Sequence, residues 1–229
     1  MKKQNSLRPR RAAASASALA LLLGASLASP AAAETEINVF GGIQEAPHSR
    51  IKGWTPETGD FSKLIGWEGK SFAAPPYYGA RVTQWIGGGD WGLGLEFTHD
   101  KVYAPKGDMS PEFTTLEFTD GLNIVTVNAA RRWRNAWHGM TPYLSGGMGV
   151  AIPHVEVTPT GGSATKEYQL TGPAMRLTAG LSYPLSDSWS VFGEYQFTAS
   201  DNKADLKDDG HLKSTILTNA LNVGVGFRF

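Results

Sequence analysis

From residue 34 onward the chain has no run approaching the roughly twenty apolar residues that a membrane-spanning helix needs, yet several segments carry an apolar side chain at every second position. Trp91, Leu93, Leu95 and Phe97 alternate with Gly92, Gly94, Glu96 and Thr98. Met175, Leu177, Ala179, Leu181 and Tyr183 alternate with Arg176, Thr178, Gly180 and Ser182, and Leu221, Val223, Val225, Phe227 and Phe229 alternate with Asn222, Gly224, Gly226 and Arg228. A period of two belongs to strands with two unlike faces. The parity that carries the small residues also carries Glu96, Arg176, Glu194, Gln196, Asn222 and Arg228. In a water-soluble cup of the lipocalin kind the apolar parity would face inward. Small residues mixed with opposite charges suit the inside of a narrow barrel, with the apolar parity turned to lipid.

Inside hydrocarbon only helices and closed barrels satisfy their own backbone, so the alternation predicts a transmembrane β-barrel. Weaker alternation at 37–43, 77–86, 125–133, 143–152 and 189–197 brings the count to eight, the minimum for a single-chain outer-membrane barrel. The expected fold is therefore all-β, an eight-stranded antiparallel transmembrane β-barrel. Segment 77–86 is ambiguous, because placing Trp85 outside also places Arg81 outside. Connections 87–90, 134–140 and 184–188 are short, whereas 48–71, 103–120, 156–168 and 199–214 are long and polar. Short periplasmic turns and long outer loops put both chain ends in the periplasm. Trp85, Trp91, Trp133, Trp137, Tyr143, Tyr183 and Trp189 all flank the short turns and read as the inner aromatic girdle.

The first 33 residues fit this destination. Lys2, Lys3, Arg8, Arg10 and Arg11 precede the apolar run 18–23 and then Ala31-Ala32-Ala33, the order of a cleaved signal peptide. The expected organisation is a signal peptide at 1–33 and a barrel at 34–229, exported through the inner membrane to the bacterial outer membrane. Cleavage leaves 16 Lys and Arg against 21 Asp and Glu, a net charge of −5, which argues against nucleic acid as a partner. No cysteine is present, so stability has to come from the closed hydrogen-bonded ring. Eight strands leave little more than side-chain space inside, which weighs against a pore. A monomer is expected.

Residues able to do chemistry gather near the outer strand ends. His48, His99 and His154 fall at the ends of the first, third and fifth strands, with Asp100 and Glu68 at a similar level and Lys70, Lys101, Arg50 and Lys166 nearby. Imidazole and carboxylate are the donors that a divalent metal ion takes, and the groups that acid–base chemistry uses. Pro153 interrupts the strand before His154, so the direction of that side chain stays open. The lysines suit the anionic phosphates of lipopolysaccharide.

Several blocks of residues extend beyond strand parity into the loops. They are 64–72 (LIGWEGKSF), 75–79 (PPYYG), 96–103 (EFTHDKVY), 116–121 (LEFTDG), 153–155 (PHV) and 192–197 (FGEYQF). In these blocks the chain resembles the lipid A oxidases of rhizobial outer membranes. The resemblance implies oxidation of the proximal glucosamine of lipid A to aminogluconate, with dioxygen as co-substrate, hydrogen peroxide as by-product and a divalent metal ion as cofactor. Combined with rim position, it suggests His48, His99 and His154 as metal ligands. Glu68 and Asp100 are then the catalytic carboxylates, and Lys70 and Lys101 the contacts to lipid A. Two alternatives stay open: a non-catalytic barrel serving membrane integrity or adhesion, and a lipid A acyl hydrolase. For the hydrolase, His48-Ser49 are adjacent but on opposite faces of an extended strand.

Overall fold

The computed structural model describes residues 34–229, and the signal peptide expected at 1–33 lies outside the described residues. Eleven strands form one antiparallel sheet. Eight of them close the barrel: β1 (Glu34–Glu45), β4 (Tyr78–Trp85), β5 (Trp91–Tyr103), β6 (Phe113–Arg132), β7 (Thr141–Pro159), β9 (Gly172–Pro184), β10 (Trp189–Asp205) and β11 (His211–Arg228). Each pairs with the next in that order, and β11 returns to β1 from Glu36↔Arg228 to Glu45↔Asn219. All eight expected strands are present and closed, so no edge is left within the lipid-facing ring.

The membrane-spanning part has the expected polarity. Ile37, Val39, Val82, Leu93, Leu95, Val127, Met148, Leu177, Leu221 and Val223 are exposed on the outside, where hydrocarbon covers them. Inside, buried polar residues form one connected layer. Arg81 donates to Glu96 (3.3 Å) and Glu194 (2.8 Å), and Arg176 pairs with Glu96 (3.5 Å). Gln196 and Asn128 donate to Glu96 (2.6 and 3.1 Å), while Tyr143 and Asn222 donate to Glu194 (2.5 and 3.1 Å). Opposite charges on neighbouring strands thus compensate one another, as burial requires. Room for this layer comes from missing side chains: a Cβ at Gly79 would lie 2.2 Å from the Phe40 ring.

Two expectations are corrected. Trp85 and Tyr143 do not belong to the lipid-facing girdle. Trp85 faces inward with Arg81, both 6 % exposed, and its ring lies under the Arg132 guanidinium at 3.9 Å. Tyr143 is drawn inward by its hydrogen bond to Glu194. Trp91, Trp137, Tyr183 and Trp189 remain on the outside.

The long outer connections are not irregular polar loops. They contain β2 (Ser49–Thr55), β3 (Gly59–Ile65) and β8 (Thr165–Tyr168), and β6, β7, β10 and β11 run well beyond the membrane. β2 joins the outer end of β11, β3 pairs with β2, and β8 pairs with β7. Along these extensions the faces reverse. Ile51, Ile65, Leu116, Phe118, Val155, Val157, Leu212 and Ile216 point inward and are buried together with Trp67 and Phe113, while the polar residues face out. Water surrounds this part of the wall, so the ordinary rule of an apolar inside holds again. The lumen is therefore filled twice, by an ion-paired layer at membrane level and by an apolar plug above it.

Candidate functional site

A polar crown on the outside of β5, β6 and β7 sits immediately above the lipid-facing band. Phe97, Val125 and Ile152 end the apolar parity on these strands, and His99, Asn123 and His154 are the next outward residues. Two irregularities shape the crown. The β5–β6 register shifts between Asp100 and Val102, and the β6–β7 register shifts between Glu117 and Leu122. Gly121 sits in the second shift at φ +95°, a conformation that side chains resist. Pro153 faces this shift across β7 and keeps the inward parity of Ala151 and Val155. His154 therefore points outward.

The geometry around His99 is tight. Its ring stacks on Tyr78 at 5.2 Å, and its Nδ1 lies 2.9 Å from Asn123 Oδ1. A carboxamide oxygen accepts, so Nδ1 carries the proton and Nε2 keeps a free lone pair in the neutral ring. His99 Nε2 is buried without a hydrogen-bond partner among the described residues. A Cβ at position 121 would lie 2.2 Å from His99 Nδ1, so glycine is what lets the imidazole occupy this place.

Next to His99, Asp120 Oδ2 lies 3.6 Å from His154 Nδ1, and the His154 ring packs on Tyr168 at 4.9 Å. Farther out, the Lys70 and Lys101 ammonium groups lie over the Tyr103 ring at 4.7 and 5.4 Å. Lys70 also pairs with Glu68 at 2.9 Å, and Lys166 with Glu156. Glu117 stands opposite both Tyr103 and Glu156 in register. Burial, and then the neighbouring Glu156 carboxylate, push the Glu117 carboxyl above the ordinary glutamate range.

Of the seven residues suggested by sequence, five lie in this crown: His99, His154, Glu68, Lys70 and Lys101, but Lys101 is fully buried and does not present its charge to the surface. Asp100 does not. It follows His99 directly and therefore points to the opposite face, where it is 1 % exposed and accepts from Thr218 at 3.0 Å. His48 also stands apart, exposed at the start of β2 beside Gly66. Ser49 Oγ accepts from Trp67 Nε1 at 2.7 Å and shares a hydrogen bond with Ser214 at 3.1 Å, and neither bond involves His48. His48 thus lies outside the crown and does not complete a ligand set with His99 and His154. Among the described residues no three His, Cys, Asp or Glu side chains converge on a point that could hold a metal ion. The protein side chains as they stand do not fit a metal centre. Sequence reading missed Asn123, Tyr78 and Gly121. The Asp120-Gly121 break between two alternating runs was the available signal, since such a break marks a bulge that re-aims nearby side chains.

Residues 17–229 match the family described as the outer membrane protein beta-barrel domain. No curated protein is found as a sequence relative. Solved structures share the architecture. The solid-state NMR structure of the outer membrane protein AlkL in lipid bilayers has a TM-score of 0.52 at 11 % identity, covering 99 % of this chain and 97 % of AlkL. Neisserial surface protein A has a TM-score of 0.49 at 14 % identity, covering 85 % and 97 %. OprG from Pseudomonas aeruginosa has a TM-score of 0.45 at 12 % identity, covering 86 % and 96 %.

Proposed function

The chain belongs to the outer membrane protein β-barrel family and resides in the bacterial outer membrane, and on that premise we propose that it oxidises lipid A at the crown on β5–β7. One observation carries this reading. A histidine with a free, buried Nε2 is held on the lipid-facing wall one pleat above the apolar band, at the level where lipid A sugars lie. A substrate confined to the outer leaflet reaches this wall by lateral diffusion, and the Tyr78 ring stacked on His99 has to shift before Nε2 is open to it. Lys70 and Lys166, both exposed, supply positive charge for its phosphates, and His99 Nε2, once the ring is uncovered, accepts the proton of a sugar hydroxyl.

Oxidation of the C1 hemiacetal removes two electrons and two protons, which pass to dioxygen and give hydrogen peroxide and a lactone. Water then opens the lactone to the aminogluconate. Asn123 fixes the tautomer of His99, and Tyr78 fixes the plane of its ring. The divalent ion implied by the family resemblance is not assigned to protein ligands. The same lack of convergent ligands favours a second reading, in which the crown binds lipid A without changing it.

Mass spectrometry of lipid A from cells with and without the protein separates the readings. The first requires a gain of one oxygen on the proximal sugar, lost in His99→Ala while the barrel still assembles. Loss of a fatty acid would indicate hydrolysis, and unchanged lipid A the non-catalytic reading.

A further inference from the structure

Away from the crown, the outer wall formed by β10, β11 and β2 carries a row of three lysines. Lys203 stands directly opposite Lys213, and Lys213 directly opposite Lys52. All three are exposed on the same outer face. Arg50 lies one pleat nearer the membrane on β2 and reaches only Ser62, at 3.4 Å. None of these four cations forms an ion pair among the described residues. Asp201 and Asp205 flank Lys203 along β10 without closing to ion-pair distance, and Asp201 instead accepts from Thr215 at 3.4 Å. Like charges directly opposite one another destabilise a sheet, and this row occurs in a chain whose mature part is acidic by five charges. Such a row is tolerated where a counter-anion sits on it.

Part of the row borders a shallow, open depression of the wall lined by Arg50, Lys52, Lys213, Thr215, Asp201 and, at its lower end, Leu217. Below Leu217 the outward Asn219 accepts from Tyr195, and Leu221, Tyr195 and Val223 then face the lipid. Lys213 stands four residues above Leu217 on β11, roughly 10 Å for tilted strands. This is the height of headgroup phosphates.

We propose that this face is a second, non-catalytic binding site for the phosphate groups of lipopolysaccharide, with the glycan on Arg50, Lys52, Lys203 and Lys213 and an acyl chain beside Leu217. The apolar lower end favours a phosphorylated lipid over a soluble polyanion. The site shares no residue with the crown and does not depend on its chemistry.

The experiment uses the full mature barrel refolded in detergent, the variant K52Q/K203Q/K213Q, purified lipopolysaccharide and its dephosphorylated form. Each surface lysine contributes about fivefold to binding an anionic lipid surface, so the variant should bind on the order of a hundredfold more weakly at low salt. Dephosphorylated lipopolysaccharide should bind wild type equally poorly. A separate signature comes from melting: Lys213→Gln should raise the melting temperature without lipid and lose the stabilisation that lipopolysaccharide gives wild type. Equal binding by wild type and variant overturns the proposal, as does capture of heparin but not of lipopolysaccharide. Lipid A from cells carrying the triple variant reports on the crown independently, since loss of this site leaves oxidation of the sugar intact.

Discussion

Replacing Glu96 by glutamine tests whether the barrel interior is a dry, ion-paired layer. The Glu96 side chain has no exposure, accepts from Gln196 (2.6 Å) and Asn128 (3.1 Å), and pairs with Arg81 (3.3 Å) and Arg176 (3.5 Å). Glutamine has the same shape, but one of its two ends becomes a donor facing donors. Arg81 keeps Glu194 at 2.8 Å, whereas Arg176 loses its one carboxylate within ion-pair distance and retains only Thr126 and Thr98. Removing one partner of a buried pair costs about 3–5 kcal/mol, because the remaining charge is left uncompensated. With an m-value of about 2 kcal/mol/M, the urea midpoint falls by roughly 2 M. The assay is equilibrium unfolding from lipid vesicles followed by tryptophan fluorescence. The double variant E96Q/R176Q should recover much of the loss, since the stranded guanidinium is gone. A loss below about 1 kcal/mol, with no recovery in the double variant, would mean that water screens the layer and would refute the plugged lumen.

Gly121→Ala should abolish modification of lipid A while the barrel still shows heat-modifiable mobility, because a Cβ there meets His99 Nδ1. Gly139→Ala, also at positive φ but with nothing within 4 Å, controls for backbone strain and should leave lipid A modification unchanged. Glu117→Gln should stabilise the outer extension near neutral pH and have no effect at low pH. A carboxyl raised above its unfolded value lowers folded-state stability as pH climbs from the unfolded to the folded pKa, so the gain should appear across that window in melting curves against pH. Leu116→Ala, at a residue 1 % exposed, should cost about 2–5 kcal/mol and show as faster proteolysis or hydrogen exchange of the outer extension. The membrane-level strands should keep their protection.

The eight barrel strands were legible because each carries apolar side chains on one parity and small or charged ones on the other. The outer extensions were not, although Leu116, Phe118, Val155 and Val157 alternate as regularly as any membrane strand. Their alternation obeys the opposite convention, apolar inward, and the polar residues between them read as loop when the lipid-facing convention is carried past the headgroups. Trp85 failed for a related reason. An aromatic beside a turn suits an interfacial girdle, but here a cation, Arg132, waits inside the mouth and draws the ring inward. The crown was legible by level and not by direction. His99 and Asp100 occupy one height in the sequence, yet consecutive residues of a strand face opposite ways, and only the bulge at Gly121 determines which groups meet His99.

The same reversal of faces limits where chemistry can occur. In the outer half of the barrel the lumen is packed with Ile51, Phe118, Leu122, Leu212 and Ile216, and at membrane level it is filled by the layer around Glu96 and Glu194. A cavity of about 290 Å³ enters the lumen from the periplasmic mouth and ends at Arg81, Tyr143 and Phe192, so nothing reaches the wall from inside at the outer-leaflet level, and Asp100 is walled in despite its carboxylate. A reactant has to arrive in the plane of the leaflet and meet an outward side chain. Where the outward parity changes from Phe97 to His99 on β5 and from Ile152 to His154 on β7, the wall changes from hydrocarbon contact to polar contact within one pleat. An amphipathic substrate can bridge that boundary with its acyl chains below and its sugar above, whereas a water-soluble substrate gains nothing from the apolar band. On the proposed reading, the filled lumen confines the substrate of the crown to lipids, and an activity on soluble sugars in the absence of a bilayer would contradict that reading.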